Sequence, residues 1–177
     1  MLIFETPHMG LKDSYRSLAR EFVAVGEPPV PFVLGFPNDY FKAFLEDLDA
    51  CSRGEGLPPG FVPHTTYWLA DDDEVVAVSN LRHILTDALR YQGGNIGYGV
   101  RPSARRRGYA TAILAHTLAQ ARAKGMSEVL LTCAKANVGS ARSIVKNGGA
   151  LASEEFLPER CEIIQRYRIQ TSQAVLR

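Results

Sequence analysis

The residues best suited to chemistry fall in one stretch, Val100-Arg101-Pro102-Ser103-Ala104-Arg105-Arg106-Arg107-Gly108-Tyr109-Ala110-Thr111, where four arginines occupy seven positions. The stretch links a strand-like run to the start of a helix. Gly108 permits close backbone approach, and Ala110 keeps the first helical turn narrow. The free N–H groups of that turn, the positive end of the helix dipole and the arginines all favour an anion. The dipole alone contributes ~0.3–1 kcal/mol. Charge-assisted hydrogen bonds at ~1.5–3 kcal/mol each would supply most of the affinity. Three adjacent arginines cannot all face one ligand, so at least one of them points to water.

Other reactive types are scattered. Asp71-Asp72-Asp73 are consecutive and cannot all point at one ion, so they read as a solvated turn, and no metal is expected. Cys51, Cys133 and Cys161 are an odd count at wide spacing. That argues against a disulfide framework or a CxxC metal knuckle and for a reducing, cytoplasmic setting. Cys133 ends an apolar run and reads as a small core residue. His83 closes a strand-like run and is the best base candidate by its ordinary pKa; His8, His64 and His116 have weaker claims. Tyr67, Trp68, Phe61 and the loop 52–63 could line a substrate pocket.

The elements that must hold these residues follow from periodicity. Residues 1–6 form an edge strand. From Leu11 to Val25, Tyr15, Leu18, Phe22 and Val25 recur at helical spacing. Pro28-Pro29-Val30-Pro31 then forces an extended connector. A second helix follows Pro37, with Asn38 as N-cap and Phe41, Phe44, Leu45 and Leu48 facing inward. Residues 52–63, rich in glycine and proline, form a surface loop. Thr65–Ala70 and Glu74–Arg82 form a hairpin, with Glu74 opening its second strand as a further base candidate. Beyond it, strand 95–100, helix 108–124, strand 128–134, helix 137–146 and strands 150–156 and 161–169 imply a βαβ crossover inside a mixed sheet. The class is α/β (α+β), with a mixed central sheet of about six or seven strands flanked by about four helices.

Composition narrows the function. At 177 residues, 46% hydrophobic and 22% charged, the chain is long enough to bury a core and suits a single domain, 1–177. A net charge of +1 gives no global pull toward nucleic acid or membrane. No apolar run approaches the ~20 residues that span a bilayer, and the start lacks the pattern of a signal peptide. A nucleic-acid contact through Arg101 and Arg105–Arg107 is disfavoured by this near-neutral charge and by the lack of interleaved aromatics.

Arg105-Arg106-Arg107-Gly108-Tyr109-Ala110 resembles the Arg/Gln-x-x-Gly-x-Gly/Ala signature of the GNAT acyltransferases (Gcn5-related N-acetyltransferases). Gly97-Tyr98-Gly99-Val100-Arg101-Pro102, Asn137-Val138-Gly139-Ser140 and Lys146-Asn147-Gly148-Gly149 are also similar to that family. The likeness is good over residues 95–150. It implies a GNAT-like sheet, with a helical acceptor-side segment 1–63 and an acyl-CoA-binding core 64–170. It also implies N-acyl transfer from acetyl-CoA, or another acyl-CoA, to an amine acceptor in a ternary complex. Carried over, the diphosphate lies on the amides of Arg105, Arg106, Arg107, Gly108, Tyr109 and Ala110, with Thr111 adjacent. The pantetheine pairs with Tyr98, Gly99 and Val100 on a strand that bulges at Gly97 or Gly99, and the amide at or next to Val100 meets the thioester oxygen. Asn137 caps its helix and could touch the pantetheine, as could Ser140.

The sequence departs from the family where many members carry a tyrosine acid, a position that is Ile144 here. Ser140, Cys133 or a water are substitutes, with Tyr98 and Tyr109 behind them. Because a free thiol has pKa ~8.5, CoA can leave as thiolate without a strong acid. An acceptor with a lysine-like pKa of ~10.4 is neutral in only a few molecules per ten thousand at pH 7, whereas an α-amine near 8 is ~10% neutral. His83 would matter most for the former. A non-catalytic acyl-CoA-binding or sensing module is the alternative reading, and an edge strand near either terminus could support a homodimer.

Overall fold

A computed structural model describes residues 1–171; the last six residues of the expected 1–177 domain lie outside the described residues. Helix α1 (Lys12–Ala24) forms because Tyr15, Leu18 and Phe22 recur on one face, and all three are buried. Val25 falls just past its end and is exposed, so the inward stripe stops one position earlier than periodicity suggests. Helix α2 (Phe41–Arg53) buries Phe41, Phe44 and Leu48, and Gly54 closes it in the left-handed conformation at φ 79°. Asn38 does not cap it. Arg16 takes the Asn38 side-chain oxygen and carbonyl instead, and Tyr40 stands at the N-cap without a side-chain bond.

Strands β1 (Leu2–Glu5), β2 (His64–Asp71), β3 (Glu74–Arg82) and β4 (Ile96–Val100) form an antiparallel sheet in that order. Strands β5 (Glu128–Ala134), β6 (Ala150–Leu157) and β7 (Glu162–Gln170) form a second antiparallel sheet, with β7 in the middle. Short α3 (Asp87–Tyr91), with Thr86 capping it through a bond from the Leu89 amide, is an element the sequence reading left unassigned. Helices α4 (Tyr109–Ala123) and α5 (Val138–Lys146) complete the crossovers.

Both faces of the first sheet are covered. On one, α1 and α2 press Tyr15, Phe41 and Phe44 around Trp68, which is fully buried. On the other, Leu81, Ile96 and Leu114 join Val129, Leu131 and Ile144 in a core shared with the second sheet. Each such side chain contributes about 1.5–3 kcal/mol on burial. Tyr67 and Trp68 therefore belong to these cores and not to an acceptor pocket.

The crossover strands β4 and β5 touch at one end. Asn95 donates its amide to Leu130 O at 2.7 Å, and Leu130 donates back to Asn95 Oδ1 at 2.8 Å. Beyond that point no ladder joins them, and the strands fall in separate sheets. A cleft opens there, closed at its base by Asn95. The expected bulge in β4 is absent: Leu81 to Ala77 pair with Ile96 to Val100 in unbroken register. Gly99 serves close packing: a β-carbon there would overlap the Val30 carbonyl oxygen, whereas one on Gly97 would meet Pro31 only at ordinary contact distance.

Candidate active site

The cleft has a volume of about 710 Å³ and brings together residues from β4, the start of α4, the start of α5 and the connector after α1. Its mouth is the β4–α4 loop. The first α4 hydrogen bond runs from Ala112 N–H to Gly108 O at 3.1 Å, so the amides of Tyr109, Ala110 and Thr111 have no helical acceptor. Among the described residues, the Arg106, Arg107 and Gly108 amides have no partner either. Gly108 adopts φ 87° and Arg106 φ 64°, which turns successive N–H groups toward one side. Nothing lies within 4 Å of where a Gly108 β-carbon would stand. Such a concave set of donors at a helix N-terminus fits a diphosphate.

The arginines do not act as a cluster. Arg101 is 3% exposed and turned into the protein: it pairs with Glu21 at 2.9 Å and Glu74 at 3.2 Å and donates to Val75 O and Ser14 O. It is a buried strut, which removes it as an anion or nucleic-acid contact and gives Glu74 a partner. Arg105 clasps Glu27 at 2.7 and 2.5 Å, stacks over Phe22, and donates weakly to Val100 O at 3.4 Å. Its amide reaches back to Pro102 O at 3.5 Å, so the free run starts at Arg106 rather than Arg105. Arg106 lines the cleft and Arg107 does not. The Tyr109 hydroxyl donates to Asp71 at 2.6 Å, which leaves its amide, not its ring, facing the mouth.

Deeper in, the phase of the β3–β4 ladder decides what β4 offers. Arg101 N–H donates to Val76 O and Arg82 N–H to Asn95 O. Alternation along an antiparallel pair then directs Gly97 and Gly99 toward β3 and leaves the N–H and C=O groups of Tyr98 and Val100 on the open edge. An extended chain can pair there as another strand would.

Across the cleft, Asn137 caps α5 by accepting from the Ser140 amide at 3.1 Å. Tyr98 and Ser140 share a hydroxyl–hydroxyl hydrogen bond of 2.9 Å that bridges β4 to α5. Burial pushes the Tyr98 phenol up to about 12, so it stays protonated at neutral pH. Burial also pushes the Cys133 thiol up, and that residue is core. Ile144 is fully buried. The pair Tyr98–Ser140 puts two bonded hydroxyls in the wall of the cleft; the sequence ranked Tyr98 low because nothing in it shows that β4 faces α5.

His83 is not brought to this cleft. It sits at the closed base of the split, bonded to Thr65 Oγ1 at 2.8 Å, and faces another cavity with Arg90 and Arg168. Burial lowers its pKa. The expectation that it serves as base loses its geometric support. Sequence reasoning also missed Phe22, Glu27, Pro28 and Val30, which form the cleft's outer wall. The proline-rich connector was visible; that it crosses β4 was not, although Gly99 is the mark it leaves.

Residues 32–148 match the acetyltransferase (GNAT) family, a stretch that reaches well before the motifs at 95–150. No curated protein matches the sequence. The fold is shared at low identity with several solved structures. YncA of Salmonella typhimurium, a putative acetyltransferase solved with its cofactor acetyl-CoA, is 12% identical with a TM-score of 0.65, covering 98% of this chain and 96% of that one. RimL, a ribosomal L7/L12 alpha-N-protein acetyltransferase solved with coenzyme A, is 13% identical with a TM-score of 0.68, covering 96% and 93%. The ribosomal-protein-S5-alanine acetyltransferase of Vibrio fischeri is 10% identical with a TM-score of 0.66, covering 97% and 94%. With the family matched over residues 32–148 and the fold shared along nearly its whole length, the chain belongs to the GNAT family of acetyltransferases.

Proposed function

We propose that this chain is an N-acetyltransferase that moves an acetyl group from acetyl-CoA to an α-amine by direct attack within a ternary complex. The observation that carries the reading is the run of unpartnered amides from Arg106 to Thr111 at the mouth of the β4–β5 split. These amides, with Arg106 beside them, would hold the diphosphate. The open edge of β4 at Tyr98 and Val100 would pair with the pantetheine and aim the Val100 N–H at the thioester oxygen, where negative charge develops as the amine attacks.

As the carbon–nitrogen bond forms and the carbon–sulfur bond breaks, the sulfur leaves as thiolate. The Tyr98–Ser140 pair, in the wall of the same cleft, would give that sulfur a hydrogen bond. With the phenol at about 12 and a thiol at ~8.5, full proton transfer from Tyr98 is unfavourable, so the pair stabilises the thiolate; the attacking nitrogen loses its proton to solvent as the amide forms, and solvent protonates the released thiolate.

The amine must arrive neutral or lose its proton nearby. Among the described residues lining the cleft there is no histidine, and the one carboxylate, Glu27, is held by Arg105. That favours an α-amine, about a tenth neutral at pH 7, over a lysine side chain. The names of two structural neighbours, an alpha-N-protein and a ribosomal-protein-alanine acetyltransferase, support the same choice.

The test is thiol release from acetyl-CoA with short peptides bearing either a free α-amine or a blocked N-terminus and one lysine. Turnover with the first, rising with pH through half its maximum at pH ~8, is expected. Equal turnover of the lysine peptide at pH 7 would refute the acceptor assignment. Tight CoA binding by calorimetry with no thiol released from any amine would leave the chain a binding module. No heat with either CoA or acetyl-CoA would end the reading.

A further inference from the structure

A second cavity, of about 170 Å³, opens at the base of the first sheet on the face that carries α1 and α2. Phe32, Phe61 and Leu89 provide apolar walls, and His64 and Arg82 the polar ones. A cavity of roughly 150 Å³ accepts a benzene ring, so this recess suits one side-chain-sized group.

His64 is 1% exposed, yet its Nε2 has no hydrogen-bond partner among the described residues. Its other ring nitrogen, Nδ1, lies 2.9 Å from Asn80 Nδ2, which also donates to Thr66 Oγ1 at 3.1 Å. In the orientation that Asn80 adopts, its amide nitrogen donates to Nδ1, which puts the ring proton on Nε2 and leaves Asn80 Oδ1 buried without a partner as well. Burial, together with the Arg82 charge, lowers the His64 pKa to about 4, which keeps the ring neutral. The recess thus contains a buried N–H donor with nothing to receive it, a condition that protein interiors seldom leave unfilled.

Arg82 supplies the second half. Its guanidinium lies 4.9 Å over the Phe32 ring and donates to the carbonyls of Gly93 and Gly94, but among the described residues it has no carboxylate partner. A cation without a counter-ion and a neutral donor thus share one aromatic-walled space. Their complement is an anion with two acceptor oxygens on an apolar body.

We propose that this recess binds a compact apolar carboxylate, held between His64 Nε2–H and the Arg82 guanidinium with its body against Phe32, Phe61 and Leu89. The carboxylate could be part of the acceptor or a separate acid. The β3–β4 register puts Arg82 level with Asn95, four residues from Gly99, or roughly 13 Å at ~3.3 Å per residue. An acceptor reaching it would carry the group three or four extended residues from its amine.

Phenylacetate is the probe, titrated by calorimetry into the CoA-loaded protein, with phenylacetamide as its uncharged match. Saturable phenylacetate binding at least tenfold tighter than phenylacetamide is expected. His64→Phe, which keeps the aromatic packing and removes the donor, and Phe61→Ala, at a half-exposed position that tolerates truncation, should each weaken phenylacetate severalfold and leave CoA affinity unchanged. Absence of phenylacetate binding at 10 mM, in protein that still binds CoA, means the recess holds only water and overturns the proposal. So does equal affinity for phenylacetamide, or wild-type affinity in both variants. These readouts need no turnover, so they stand or fall apart from the acyl-transfer reading. Where turnover is measured, a raised KM for the peptide amine assigns the carboxylate to the acceptor, and a changed kcat alone assigns it to a separate ligand.

Discussion

At the start of the β4–α4 loop, Arg101 gives its donors to Glu21, Glu74, Ser14 and Val75 and is almost fully enclosed. At the end of the same loop, the amides of Arg106 to Thr111 give theirs to no group in the described protein. The two ends lie a few residues apart and both look, in sequence, like anion-binding material. The difference is one of solvation. A guanidinium taken out of water must be matched by fixed acceptors, which locks it into the fold. Main-chain amides at a helix start cannot be matched from within, so they stay free for a ligand. In this loop the backbone binds and the arginines brace.

The comparison breaks most readily at Arg101. Replacing it with methionine leaves Glu21 without its buried partner, and a loss of about 3–5 kcal/mol of stability is expected in urea unfolding. CoA affinity, measured on the folded fraction, should stay within twofold of wild type. Arg106→Met is the mirror test: unfolding within about 0.5 kcal/mol of wild type, with CoA affinity reduced severalfold. If Arg101→Met weakened CoA more than Arg106→Met does, the division of labour proposed for the loop would be wrong.

A third substitution couples the two ends. Gly99→Ala drives a β-carbon into the Val30 carbonyl, a backbone atom that cannot swing aside. Overpacking of this kind costs about 1–3 kcal/mol. Because Val30 and Gly99 both line the cleft, CoA affinity should fall with stability. Unchanged CoA binding in a destabilised Gly99→Ala protein would show that the connector wall is structural only.

How much of this was legible beforehand depends on the range of the interaction. The amphipathic faces of α1 and α2, the hairpin of β2 and β3 and the amide cradle at Gly108 depend on neighbours within a few positions, and spacing reveals them. The partners of Arg101 lie in α1, 80 and 87 residues away, and in β3, 26 residues away at Val75, and no local pattern announces them. His83 follows the same rule. Its spacing puts it correctly at a strand end, but only the β3–β4 register shows that this end is the closed base of the split. The straight β4 is a further case: two glycines in a strand signal either a bulge or a close approach, and only the position of Val30 decides between them.

Tyr98→Phe sharpens the chemistry of the cleft without touching either end of the loop. Removing the hydroxyl leaves Ser140 in place, so a loss of about tenfold in kcat, equivalent to about 1.4 kcal/mol, is expected, with the KM for acetyl-CoA little changed. Ser140→Ala should have a similar effect, and the double variant should not multiply the two losses, since the groups act as one pair. Multiplicative losses would separate their roles.

Arg105 marks the boundary between bracing and binding, and it carries the smallest effect. Its bond to Glu27 is partly exposed, 39% and 44% for the two side chains, which places its worth at about 0.2–1 kcal/mol. The hydrogen bond from Arg105 is the main cause that holds the Glu27 carboxyl below its ordinary pKa. A depressed carboxylate contributes stability above its unfolded pKa and loses it as the pH falls through the folded value. The stability gap between wild type and Arg105→Gln should therefore be present at neutral pH and close as the pH drops below the ordinary glutamate range. CoA affinity should fall by no more than a few fold, because the amide run that binds the diphosphate begins one residue later. A gap that persists unchanged into strong acid would mean that Arg105 works through its stacking on Phe22, and the boundary would then be drawn by packing rather than by charge.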